Sequence, residues 1–181
     1  MIKTQMIKTH RWLLATLLSM YGISAIAAQE CLPESQYPNQ WKDSRYTDHS
    51  NGTVTDNNTN LMWAKCSLGQ NATACSGSAT TYTWKQALEA ASNSTLAEYS
   101  DWRLPNIKEI GSLSALNCLN PTINLNLFPN TPTSAFWASS PYAGSSGNAW
   151  IFFFFGGSDG NESRDRNGYS RVRLVRGGSG S

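Results

Sequence analysis

The chain has 181 residues, 40% of them hydrophobic and only 14% charged, with 14 basic and 12 acidic side chains. That is enough length for one domain with a real core. Three of the basic residues (Lys3, Lys8, Arg11) belong to an N-terminal leader, and without it 11 basic residues face 12 acidic ones, a formal net charge of −1, which excludes a general polyanion or nucleic-acid binder.

The leader spans residues 1–27. Its positive start is followed by a mostly apolar run, Trp12 to Ile26, and by the small residues Ala25-Ile26-Ala27. This is the pattern of a cleavable secretory signal, and the run is short of the ~20 residues of a membrane anchor. No other apolar run is long enough to span a membrane. Residues 28–45 read as an N-terminal extension, 46–178 as the domain and 179–181 as a flexible tail. All four cysteines (Cys31, Cys66, Cys75, Cys118) lie after the leader. An even count in an exported chain predicts two disulfides. Of three pairings we favour Cys66–Cys75, which closes a short polar loop, and Cys31–Cys118, which ties down the N-terminus. Zinc is the poorer reading, because there is no Cys-x-x-Cys and His49 is the only histidine after the leader.

Gly52 to Asp56, the polar Asn57 to Asn60 and the returning Leu61 to Ala64 predict a β-hairpin. The Asp/Asn cluster lacks the glycine and the distant glutamate of a calcium loop. A first helix is predicted from Trp84 to about Asn93, with a Thr83/Gln86 capping box and an apolar face of Trp84, Ala87, Leu88 and Ala91. A second starts at Asn106, with Glu109 three residues on, and runs to about Asn117-Cys118. Residues 120–133 read as a long loop. Strands follow at Phe136 to Ser139, Ala149 to Phe155 and Ser170 to Val175, with Gly156-Gly157 and a polar loop joining the last two. Strands on both sides of two helices give an α+β fold, with the helices on an antiparallel sheet.

Alternation along Trp150 to Phe155 sends Trp150, Phe152 and Phe154 to one face and Ile151, Phe153 and Phe155 to the other. A strand apolar on both faces is either fully buried or half exposed as a binding surface. No catalytic motif appears: there is no Gly-x-Ser-x-Gly, no His-Glu-x-x-His and no phosphate loop. Asp101-Trp102-Arg103 reads as a hydrogen-bonded corner. Asp159, Glu162 and Asp165 share one loop, a poor frame for a hydrolytic carboxylate pair.

Asn51 to Asp56, Leu61 to Ala64, Thr83-Trp84 with Ala87, Asp101-Trp-Arg-Leu-Pro-Asn106 with Glu109, Phe136 to Ser140, Ala149-Trp150 and Val172 to Arg176 occur here in order. Together they resemble the DUF1566 family, also called the Legionella collagen-like protein C-terminal domain family, over about residues 46–178. The resemblance implies a C-type lectin-like fold of the formylglycine-generating-enzyme type, with ligand binding on the C-terminal loops and sheet face. Some members of the family are adhesins for sulfated glycosaminoglycans. A narrower resemblance is to variable proteins of diversity-generating retroelements, whose C-terminal region alternates fixed and randomised positions. It implies Trp150, Phe152, Phe154 and Gly157 as framework, and Ile151, Phe153, Phe155, Asp159, Asn161, Arg164, Asn167 and Tyr169 as variable. The calcium-binding triplets of C-type lectins are missing. So is the C-terminal cysteine pair of the formylglycine-generating enzymes.

The expectation is therefore an exported, non-enzymatic domain that needs no cofactor or metal and binds a protein or glycan at a cell surface. Its candidate site comprises Ser145, Ser146 and Asn148, an outward strand face of Ile151, Phe153 and Phe155, and a loop carrying Ser158, Asp159, Asn161, Glu162, Arg164, Arg166, Asn167 and Tyr169. The alternatives are a glycosaminoglycan adhesin that uses Arg164 and Arg166, and a secreted hydrolase that uses Asp159 and Glu162.

Overall fold

The computed structural model describes residues 28–33, 35–36, 41–164 and 169–177. The expected leader, together with Arg166 and Asn167, lies outside them. Among the described residues the fold is α+β, with two short α-helices and antiparallel sheets. Strands β1 (Glu30–Cys31), β2 (Tyr46–Asp48), β3 (Thr53–Asp56) and β4 (Leu61–Ala64) precede helices α1 (Trp84–Ser92) and α2 (Ile107–Gly111). Strands β5 (Cys118–Leu119), β6 (Ala135–Pro141), β7 (Asn148–Phe153), β8 (Ser158–Ser163) and β9 (Val175–Gly177) follow. They form a four-stranded sheet in the order β2-β3-β4-β9, a three-stranded sheet β6-β7-β8 and a small pair β1-β5.

The predicted hairpin is β3–β4, and its turn is built around one carboxylate. Asp56 accepts hydrogen bonds from the backbone of Asn58 and the hydroxyl of Thr59, and the Arg45 guanidinium grips it with two more at 2.7 and 2.5 Å. Its neighbours are thus occupied by turn and ion-pair chemistry. Helix α1 starts where expected: Thr83 and Gln86 satisfy each other's backbone N–H groups, and Ala87 and Ala91 are buried. Asn106 and Glu109 cap α2 in the same way. That helix stops at Gly111, well short of the expected Asn117-Cys118. Beyond it, Ser114 bridges Ile123 and the Ala115 N–H reaches the Thr122 carbonyl, so pairing with a distant segment replaces the helical ladder.

Both disulfides are the favoured ones, Cys31–Cys118 and Cys66–Cys75. The first fastens β1 to β5. The Asp101-Trp102-Arg103 corner is structural. The Trp102 indole donates to the Leu96 carbonyl, Arg103 forks onto Glu109, and Asp101 accepts from Arg176, which also stacks on Tyr99.

The core has two parts. One gathers Val54, Trp63, Ile110, Phe128, Phe136, Phe152 and Phe154; the other gathers Ala87, Ala91, Trp102, Leu104, Trp137, Ala149, Ile151, Val172 and Leu174. Strand β7 feeds both. It lies between β6 and β8, with Phe152 facing one cluster and Ile151 the other. Arg173 is wholly buried and stacks on Phe128 and Phe136. It donates to the carbonyls of Ala64 and Lys65 and to the Thr131 hydroxyl. Burial lowers its pKa.

Candidate functional site

Three expectations about the C-terminal region need correction. The outward face of β7 does not form at Ile151, which is 1% exposed and packed among Trp137, Ala149, Val172 and Leu174. The fully buried reading of the central strand holds there, because neighbours cover both faces. Phe153 is half-buried, and only Phe155, at 63% exposure, stands out into solvent. Second, β7 ends at Phe153, and residues 154–157 turn the chain. Third, the polar stretch from Ser158 to Ser163 is not loop but strand β8, paired with β7 along its whole length. Its sequence, Ser-Asp-Gly-Asn-Glu-Ser, has poor strand propensity. The unsatisfied edge of an apolar strand recruits it nonetheless. The last strand is likewise displaced to Val175–Gly177, and Ser170 and Arg171 form only isolated bridges.

The register sorts the candidate residues by face, since directly opposed residues point the same way. Asn148 lies opposite Ser163, Trp150 opposite Asn161 and Phe152 opposite Asp159. On the other face Ala149 lies opposite Glu162, Ile151 opposite Gly160 and Phe153 opposite Ser158. Gly160 gives the Phe153 ring room to lie across the strand: a Cβ here would come within 3.1 Å of it, so the ring would have to shift by a few tenths of an ångström. Asp159 and Glu162 therefore point to opposite faces and do not converge on one bond.

The candidates also separate by end. Phe155 and Ser158 sit at the β7–β8 turn. Ser145, Ser146 and Asn148 sit toward the open end of the hairpin, Asn148 about 17 Å from Phe153 by the strand rise, and Asn161, opposite Trp150, lies between the two ends. At that open end the structure brings together residues that the sequence kept apart. Asn148 donates from its side-chain amide to Asn161 at 2.7 Å. Beside them the rings of Tyr142 and Trp150 meet edge to face, with centroids 5.1 Å apart, and both are half-buried. The exposed turn Ala143 to Gly147 carries Ser145 and Ser146 past this pair. Sequence reasoning missed Tyr142 and placed Trp150 in the framework. The available signal was the run Tyr-Ala-Gly-Ser-Ser-Gly-Asn, whose composition is that of a recognition loop.

Arg164 is committed to structure. Its Nε donates to the Asn148 carbonyl and its guanidinium stacks on Trp84 at 4.4 Å. Arg171 donates to the Ser134 hydroxyl. Tyr169 is exposed. Among the described residues no group of three His, Cys, Asp or Glu could hold a metal ion, and no helix is long and apolar enough to cross a membrane. A cleft of about 290 Å3 lies between the N-terminal segment and the 115–126 loop, lined in part by Gln29, Trp41, Asp43, Asn124 and Asn126. Its polar groups hold one another: Asn124 and Asn126 donate to Asp43, and Gln29 donates to the carbonyls of Pro121 and Ile123.

The family model of the Lcl C-terminal domain matches residues 52–176. The chain belongs to the Lcl C-terminal domain family. Among curated proteins none matches it. Membership is consistent with a surface or ligand-binding domain, and the two disulfides suit an oxidising compartment. The match runs from the β3–β4 hairpin to β9 and so takes in the open end of the β7–β8 hairpin.

Proposed function

We propose that this Lcl C-terminal domain is an exported, non-enzymatic module of C-type lectin-like fold that recognises another protein through the open end of the β7–β8 hairpin. One observation carries the reading: the half-buried Tyr142–Trp150 pair stands beside the Asn148–Asn161 amide pair and under the Ser145-Ser146 turn. Rigid aromatics supply contact area at low entropic cost, and Ser, Gly and Asn supply adaptable hydrogen bonds. Among the described residues of this face the one arginine, Arg164, is tied to Asn148 and Trp84, which favours a protein over a polyanion as ligand. The opposed directions of Asp159 and Glu162 support a binding role over hydrolysis. Burial of Ile151 supports a fixed site over a randomised one, because that position cannot vary freely.

The test is a selection of displayed proteins against the domain, run beside a glycan array. Tyr142→Ser and Asn161→Ala should each weaken selected binders, Tyr142→Ser by about tenfold or more as expected of an aromatic anchor. Binders insensitive to both substitutions would overturn the site. Glycan hits that depend on Tyr142, with no protein binders, would keep the site and overturn the ligand class.

A further inference from the structure

Strand β8 closes one side of the β6-β7-β8 sheet, and among the described residues no strand pairs with its outer edge. The Arg164 N–H donates to the Gly147 carbonyl at 2.9 Å, which continues the β7–β8 register by one residue. In an antiparallel ladder bonded pairs alternate with non-bonded ones. Ser158, Gly160 and Glu162 therefore point their backbone groups at β7, and Asp159, Asn161 and Ser163 point theirs away. The Ser163 N–H is held by the Glu162 carboxylate at 3.2 Å. Among the described residues the N–H groups of Asp159 and Asn161 have no partner. The strand carries no proline, and the Glu162 carboxylate, held by the outward Ser163 N–H, lies at the edge itself.

We infer that β8 is an acceptor edge for an extended, basic segment of a partner protein, which joins the sheet as a fourth strand. Backbone hydrogen bonds to Asp159 and Asn161 would give affinity, as in other strand additions. Charge selects the occupant. The strand holds Asp159 and Glu162 and no cation, and Arg164 just beyond it is spent on Asn148 and Trp84. Two copies meeting edge to edge would bring four carboxylates to one seam, which like-charge repulsion opposes. A partner strand with basic residues three positions apart meets Asp159 on one face and Glu162 on the other, because that spacing switches faces. The inference deepens the protein-recognition reading by giving the partner's form, yet it rests on backbone groups and not on the aromatic pair.

The experiment is amide hydrogen exchange, read by NMR on the whole domain with a short extended peptide of threonine and valine carrying lysines three positions apart. With peptide at about ten times its Kd, exchange at Asp159 and Asn161 should slow about tenfold. The same peptide with glutamates in place of the lysines should have no effect. Asp159→Pro removes an outward donor and leaves the β7 ladder intact, so it should abolish the protection at Asn161, whereas Asp159→Asn keeps the donor and should retain most of it. A peptide that shifts Tyr142 and Trp150 but leaves these two amides fast would overturn the edge and leave the hairpin-face reading standing. No slowing at the highest soluble peptide concentration would also overturn it. So would slowing that depends on protein concentration without peptide, which would make a second copy the occupant.

Discussion

Asp56 is the residue on which the electrostatics of the fold turn. It is fully buried, and burial by itself raises its carboxyl; the hydrogen bonds from Arg45, Thr59 and the Asn58 backbone together outweigh that and hold it below the usual carboxylate range. Glu109 behaves likewise, with burial opposed by Arg103 and by the backbone of Asn106. A depressed folded pKa means that the ionised form favours the fold. That stability is complete above the unfolded value of about 4 and is lost as pH falls through the folded values. Urea midpoints should therefore hold steady above about pH 5 and drop below it, as pH falls through the lowered folded values. Asp56→Asn should flatten the drop and cost about 3 kcal/mol at neutral pH, since it leaves Arg45 unpaired. A variant with the wild-type acid profile would refute this. The two strand positions once placed on one face should part just as clearly. Ile151→Ser puts a hydroxyl into a packed core and should cost about 3 kcal/mol or more, while Phe155→Ser should stay within about 0.5 kcal/mol. Thermal melts of the two proteins decide it, and equal stabilities would mean that β7 is not buried at Ile151.

At the scale of elements, the helices show how far local signals reach. Both capping boxes form, and each hydrogen-bonds two backbone N–H groups that would otherwise be left over. Thr83→Ala should cost about 1 kcal/mol, and Asn106→Ala about the same, as measured by chemical denaturation. No loss at Thr83 would mean that tertiary contacts alone hold α1. Helix starts were legible because the cap lies within four residues of sequence. The end of α2 was not, because Ser114 pairs with Ile123, a partner that no local pattern announces. The same holds for β8, whose polar sequence reads as loop until the edge of β7 claims it.

At the scale of the molecule, two cross-links act over very different loops. Cys31–Cys118 spans 87 residues and Cys66–Cys75 only 9. By loop-closure entropy, replacing the first pair with serines should cost about 4.5 kcal/mol and the second about 2.5 kcal/mol. Denaturation of the two double variants compares them directly, and an inverted order would show that the small loop is the more important tie. The buried Arg173 has a similar reach. It bonds the end of β4 and Thr131 while stacking on rings of the first core cluster, so three segments distant in sequence meet at one guanidinium.

By itself the sequence determined what depends on near neighbours and on composition. That includes the α+β class, the β3–β4 hairpin, the helix caps, the structural Asp101 to Arg103 corner, the presence of two disulfides with one pairing favoured of three, and the ordered blocks that mark the family. These signals survive because they are local, or because four cysteines leave few choices. Only the tertiary structure decided which face of β7 meets solvent, since alternation cannot tell a covered face from a bare one when both are apolar. It also decided that Asn148, Asn161, Tyr142 and Trp150 converge at one end of the hairpin. Register is set by backbone pairing across the sheet, and a single strand's sequence does not contain its partner.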